Sequence, residues 1–108
     1  MMPINKTDML ESMKNTPVDP AVGIAVVKGV ALPGVSLGMA VVVDKIKPHY
    51  QKVSDEIYYI LKGQGELTVG EETVLLHEGE AASIPKGQVH GFVNTGDEPC
   101  LVLFASGP

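Results

Sequence analysis

The sequence contains no arginine. Its eight basic residues are all lysine, and with 13 acidic residues the net charge is −5. Arginine is the side chain best suited to bidentate contacts with phosphate, carboxylate and guanine. An acidic chain without arginine is not expected to have a general affinity for nucleic acid or for an anionic membrane surface. A phosphorylated substrate would have to be bound by lysine or by backbone amides.

Cysteine and long apolar runs are scarce as well. Cys100 is the only cysteine, which excludes an intramolecular disulfide and the four-cysteine zinc sites. It lies in the apolar run 100–105, so we predict a buried small residue, with a reactive thiol as the less favoured alternative. No run approaches the roughly 18 apolar residues of a membrane span. The first fifteen residues are polar and lack a signal-peptide core, so we expect a cytoplasmic protein.

The chain length of 108 residues and the apolar fraction of 44% are typical of one folded domain. A cap-like start and the spacing of Leu10 and Met13 predict a short helix over about 7–14, which Pro17 and Pro20 end. We therefore divide the chain into an N-terminal segment, residues 1–21, and a single domain, residues 22–108.

Short β-branched segments separated by glycine, proline, aspartate and asparagine dominate the domain. They predict eight strands, at 22–28, 37–47, 56–62, 66–69, 73–77, 82–84, 89–94 and 100–105. This spacing favours an antiparallel sandwich or barrel. No long helical pattern separates the strands, so a parallel α/β sheet is disfavoured.

Several polar side chains share strand faces, because residues two apart along a strand point the same way. His49 aligns with Gln51, and Glu56 aligns with Tyr58, while His90 heads a third strand face. If these faces point inward, imidazoles and a carboxylate converge in the interior. Such groups bind Mn, Fe, Ni, Co or Zn. A metal would also give Glu56, in an otherwise apolar strand, the partner that a buried carboxylate needs.

Residues 79–94 carry a recognisable motif. Their pattern is Gly, five residues, Pro-x-Gly, two residues, His, three residues and Asn, occupied by Gly79, Pro85, Gly87, His90 and Asn94. It resembles the second sequence motif of the cupin superfamily at every one of these positions.

The first cupin motif is matched more loosely, over residues 49–63. His49, Glu56 and Gly63 agree with its pattern of His-x-His, Glu and Gly. The glycine that opens the motif is replaced by Val43, and its second histidine is replaced by Gln51. The resemblance covers about residues 36–105.

The resemblance implies an all-β fold, a double-stranded β-helix or jelly-roll barrel preceded here by a short N-terminal helix. It also implies a homodimer paired through the outer sheet. By position, the family's metal ligands correspond to His49, Gln51, Glu56 and His90, and the metal would be Mn, Fe, Zn or Ni. A carboxamide is a weaker, neutral ligand, so Gln51 should favour harder ions such as Mn or Zn over Cu and Ni. Asn94 is expected to close a turn.

Three functions follow as hypotheses. The first is a metal-dependent enzyme for a small organic molecule, in which Glu56 or Tyr58 transfers a proton; isomerase or lyase chemistry is slightly favoured over a dioxygenase. The second is a non-catalytic module that binds a small molecule or sugar. The third is a barrel that has lost its metal, suggested by Gln51.

His77 belongs to no motif and is predicted on the surface, and Tyr50 and Tyr59 are predicted to point away from the site.

Overall fold

Within residues 4–108 the chain folds into one short helix and nine strands. A computed structural model describes residues 4–108, so residues 1–3 of the predicted N-terminal segment lie outside the described part. The elements are α1 (Met9–Lys14), β1 (Ile24–Leu32), β2 (Val35–Val42), β3 (Lys45–His49), β4 (Asp55–Lys62), β5 (Gln64–Val69), β6 (Glu72–His77), β7 (Ala81–Ile84), β8 (His90–Asn94) and β9 (Cys100–Gly107). No helix within residues 4–108 has the length and apolar character needed to cross a membrane.

The strands form two antiparallel sheets that face each other. One sheet has five strands in the order β1-β2-β9-β4-β7, and the other has four in the order β3-β8-β5-β6. The predicted all-β barrel with a short N-terminal helix is confirmed. The first strand, β1, lies at the edge of the five-stranded sheet.

The predicted single strand over 37–47 is wrong, because the chain changes sheets within it. After β2 the backbone turns at Val43 and Asp44, and both amides donate to the carbonyl of Gly23, at 2.8 and 3.0 Å. The β3 strand then joins the other sheet. The apolar run of residues 39–43 ends at Asp44 and Lys45, next to this corner, but the alternation of lysine and isoleucine that follows is also typical of a strand.

Asn94 stabilises this corner through side-chain hydrogen bonds, which agrees with the expectation that it closes a turn. Its side-chain amide donates to the carbonyls of Val42 at 2.9 Å, Val43 at 3.3 Å and Glu98 at 2.8 Å. Its side-chain oxygen accepts the amide of Gly96 at 2.8 Å. One asparagine thus joins the end of β8 to the corner after β2 and to the loop before β9.

The space between the two sheets is filled by residues of alternating strand positions. Along β4 the exposed and buried positions alternate, which puts Glu56, Tyr58 and Ile60 inside. The apolar residues of this inner core are Ala40, Val42, Tyr58, Ile60, Leu67, Leu76, Ile84, Phe92, Cys100 and Val102. Cys100 is completely buried in it, as predicted.

A second, smaller cluster covers the outer face of the five-stranded sheet. Met9 and Met13 of α1 pack against a group of sheet residues that includes Val27 and Met39. Asp8 caps the helix by accepting the amide of Glu11 at 3.0 Å. The spacing of Leu10 and Met13 suggests that they share one helical face, but Leu10 is 55% exposed and Met9 takes its place beside Met13. The apolar face therefore consists of residues four apart.

Candidate metal centre

The turn before β8 places His90 at the start of that strand. Gly87 has a φ of +82°, a conformation that favours glycine, and its amide donates to the carbonyl of Gln51 at 2.8 Å. The carboxylate of Asp55 accepts the amide of Lys86 at 2.9 Å. These bonds anchor the turn to the loop after β3 and to the start of β4. His90 is only 1% exposed.

A bulge in β3 turns His49 toward the interior. Ile46 pairs with Phe92, but the next pair is His49 with His90, so β3 contains one extra residue. An extra residue reverses the alternation of side chains, and His49 therefore shares the inner face with Ile46. The two imidazole rings lie 4.3 Å apart between centroids. Pro48, within the bulge, has no amide hydrogen to give to the ladder.

Glu56 reaches the two histidines from the opposite sheet. Its Oε1 lies 3.1 Å from Nε2 of His90, and its exposed fraction is 7%. His49, Glu56 and His90 each offer one possible ligand atom, and these atoms all lie within 4.8 Å of one another. Three of the four side chains predicted as ligands are thus brought together.

In both imidazoles Nδ1 is hydrogen-bonded to a backbone carbonyl, which leaves Nε2 available to bind a metal. Nδ1 of His49 lies 2.8 Å from the carbonyl of Lys47, and Nδ1 of His90 lies 3.1 Å from the carbonyl of Gln88. A carbonyl only accepts, so each Nδ1 carries the hydrogen and each neutral ring keeps its lone pair on Nε2.

This arrangement fits a cation. The lone pair on His90 Nε2 faces the carboxylate of Glu56 at 3.1 Å. Two acceptors at that distance need a proton or a cation between them. Imidazoles whose Nδ1–H is held by a carbonyl are also the form in which histidine usually binds metals. The donor set therefore suits a divalent ion.

Tyr58, on β4, lies next to the three candidate ligands. Its ring meets the His90 ring edge to face at a centroid distance of 6.0 Å, and the residue is 3% exposed. Burial, and secondarily the charge of Glu56, raises the pKa of the Tyr58 phenol above its usual value. The hydroxyl therefore stays protonated well beyond neutral pH, and it can donate a hydrogen bond, but it releases its proton less readily than an ordinary tyrosine.

Gln51 lies two residues beyond the end of β3, in a loop. The expectation that it shares a strand face with His49 is therefore wrong, since strand alternation stops where the strand ends. Gln51 is half-buried, and its backbone carbonyl accepts the amide of Gly87.

His77, Tyr50 and Tyr59 lie outside the barrel interior, as predicted, and all three are exposed. His77 bonds to Glu80 through Nδ1 at 3.1 Å.

Sequence reasoning missed two serines beside the centre. Ser106 pairs with Glu56 across β9 and β4, and Ser36 pairs with Ser106 across β2 and β9. Their hydroxyl oxygens are 2.7 Å apart. Ser106 is four residues from the buried Val102 on β9, so strand alternation alone could have placed its side chain on the inner face. Its partner Ser36 could not have been found in this way, because it lies 70 residues away in the chain.

Comparisons with known sequences agree with this architecture. A family model described as a cupin domain matches residues 39–106. An uncharacterised protein of Aquifex aeolicus (strain VF5) is 36% identical over 83 residues, which are 77% of this chain and 69% of that protein. Protein SchB of Streptomyces halstedii is 35% identical over 74 residues, or 67% of this chain and 54% of SchB. The chain therefore spans about half the length of SchB.

A solved structure agrees as well. The protein TT1209 of Thermus thermophilus superimposes with a TM-score of 0.78 at 29% identity, covering 89% of this chain and 93% of TT1209. The family model covers more than half of the chain, and the strands that it includes build both sheets. This chain is therefore a member of the cupin domain family.

Proposed function

We propose that this protein is a metal-binding cupin that acts on a small organic molecule, with His49, Glu56 and His90 as the metal ligands. The observation that carries the proposal is the contact between Nε2 of His90 and Oε1 of Glu56 at 3.1 Å. When the His90 ring is neutral with its hydrogen on Nδ1, both groups are acceptors, and a cation bound by both would satisfy them. Two imidazoles and one carboxylate with open positions form a donor set used by divalent ions such as Fe(II), Mn and Zn.

Gln51 is proposed as a fourth, weaker ligand. A neutral carboxamide oxygen in place of an imidazole should shift the preference toward harder ions such as Mn or Zn. Competition binding of metals to wild type and Gln51→His tests this step. An unchanged preference in Gln51→His would contradict it.

The chemistry proposed for the site is an isomerase or lyase step, with a dioxygenase as the less favoured class. A bound metal would supply Lewis acidity toward a substrate oxygen. The raised pKa of Tyr58 keeps its hydroxyl protonated, so Tyr58 would act as a hydrogen-bond donor toward that oxygen. Glu56, with its second carboxylate oxygen, is the proposed proton acceptor. Both side chains are buried, which excludes bulk water from the transfer.

The metal content of the purified, untagged protein tests the proposal. We expect near-stoichiometric transition metal per chain by elemental mass spectrometry, and its loss in His90→Ala. His77→Ala is the matched control, because His77 is exposed and is not part of the group of side chains that could hold a metal. Equal metal content in His90→Ala and His77→Ala would contradict the assignment of ligands.

Metal absent from wild type after reconstitution with Mn, Fe, Ni and Zn would overturn the metal site. A protein that binds metal but neither consumes O₂ with Fe(II) nor converts small organic molecules would instead be a non-catalytic binding module. The homodimer and the cytoplasmic location stay predictions.

A further inference from the structure

A row of three polar residues crosses the inner face of the five-stranded sheet at the metal centre. Glu56 of β4 pairs with Ser106 of β9, which pairs with Ser36 of β2. Residues directly opposite in antiparallel strands have Cβ atoms about 4.5–5.5 Å apart. The Ser106 hydroxyl therefore lies in the neighbourhood of the proposed ligand Glu56, and Ser36 lies one strand further away.

The two serines have unused hydrogen-bonding capacity. Their oxygens are 2.7 Å apart, so one hydroxyl donates to the other. That bond leaves one O–H hydrogen and several lone pairs available. Among residues 4–108, no other side-chain hydrogen bond involves either hydroxyl. The pair is half-buried, so this capacity faces a partly enclosed space.

That space is a pocket of about 260 Å³. Ser36 and Ser106 line it together with Val53, Ser54, the turn that joins β1 to β2, and residues 107–108; the pocket is linked to the candidate metal centre through the pairing of Ser106 with Glu56. No charged side chain lines the pocket in the described part of the chain. All eight lysines are exposed, and the chain has no arginine, so the interior holds no fixed positive charge.

We propose that the Ser36–Ser106 pair selects ligands whose far end carries an uncharged oxygen, a hydroxyl or a carbonyl. This inference rests on the proposed function, since the ligand's other end would coordinate the metal. A neutral hydroxyl pair can donate to and accept from a neutral oxygen group. A second anionic group would find no cationic side chain in the lining of that pocket, so its charge would have no partner there. The two serines are thus specificity-determining residues beside the metal centre.

Matched 2-hydroxy acids test this inference on the full chain loaded with cobalt(II). Lactate is compared with glycerate, and 2-hydroxybutanoate with 2,4-dihydroxybutanoate. Within each pair the metal-binding end is the same, and one member adds a hydroxyl. Binding is followed by the visible absorption of cobalt, which does not depend on turnover. In wild type, the added hydroxyl should tighten binding about 3–10-fold in at least one pair, the effect of one net hydrogen bond.

Ser36→Ala and Ser106→Ala should remove that preference while leaving cobalt affinity unchanged. Ser83→Ala is the matched control, because Ser83 lies in the same sheet opposite Ile57 and is exposed. It should keep the wild-type preference.

The outcomes separate the two proposals. A wild-type protein that binds no cobalt would overturn the proposed function, and this inference with it. Cobalt binding without a response to any of the four acids, or without a preference in either pair, would overturn this inference alone. So would a preference that survives in both Ser36→Ala and Ser106→Ala.

Discussion

Replacing Glu56 with glutamine separates metal binding from fold stability at the buried contact with His90. The amide of glutamine can donate to the lone pair on His90 Nε2, so the 3.1 Å contact stays satisfied without a metal. The change also removes a buried negative charge, whose desolvation is costly. In metal-free protein we therefore expect Glu56→Gln to leave the free energy of unfolding within about 1 kcal/mol of wild type, or to raise it.

The effect of metal should differ sharply between the two proteins. At a free metal concentration of about 100 times Kd, binding stabilises wild type by about 2.7 kcal/mol. For a domain of this size that corresponds to a rise in Tm of about 10 °C. If the loss of the anionic ligand weakens binding about 100-fold, the same metal concentration stabilises Glu56→Gln by only about 0.4 kcal/mol, or about 2 °C.

Thermal unfolding followed by circular dichroism, with EDTA and then with Mn or Zn, measures both quantities. Glu80→Gln is the control, since Glu80 is exposed and bonds to His77 on the surface. It should keep the wild-type response to metal. Two results would refute the reasoning. One is a full metal-induced shift in Glu56→Gln. The other is a loss of about 3–5 kcal/mol in the metal-free variant, the cost expected for a broken structural ion pair.

Three further predictions concern the fold that holds the site. Asn94→Ala removes the donor to three backbone carbonyls, so chemical denaturation should show a loss of about 2–4 kcal/mol. In Gly65→Ala the new Cβ would clash with the ring of the buried Phe92, so this variant should unfold at much lower denaturant than Gly34→Ala, where nothing lies within 4 Å; equal midpoints would contradict the packing. Burial raises the pKa of the Cys100 thiol from 9.0 to about 11, so the unfolded chain ionises first as pH rises. Wild-type stability should therefore fall between about pH 9 and 11 by up to about 2–3 kcal/mol, and its difference from Cys100→Ala should shift accordingly in pH-dependent denaturation.

The second motif was enough to predict much of the site because its residues are local. The turn between β7 and β8 and the inward His90 lie within one short segment of chain. Glu56 and Tyr58 could also be placed, since β4 alternates regularly between buried and exposed positions. In such segments the period of two residues determines the face of each side chain without reference to the rest of the fold.

The geometry of the candidate metal centre required more than this periodicity. His49 faces inward because β3 contains a bulge, and a bulge depends on the pairing with β8 rather than on composition. The corner after β2 likewise depends on Asn94, a residue far along the chain whose side chain bonds to the carbonyl of Val42.

The amino-acid sequence by itself determined the all-β class, the short helix, the buried Cys100 and the inward positions of Glu56, Tyr58 and His90. Each of these follows from local periodicity, turn residues or a motif of fixed spacing. Only the tertiary structure decided the split into β2 and β3, the direction of His49, the loop position of Gln51 and the meeting of Ser36 with Ser106. These depend on register between strands that are distant in the chain, and register is set by packing of the whole barrel.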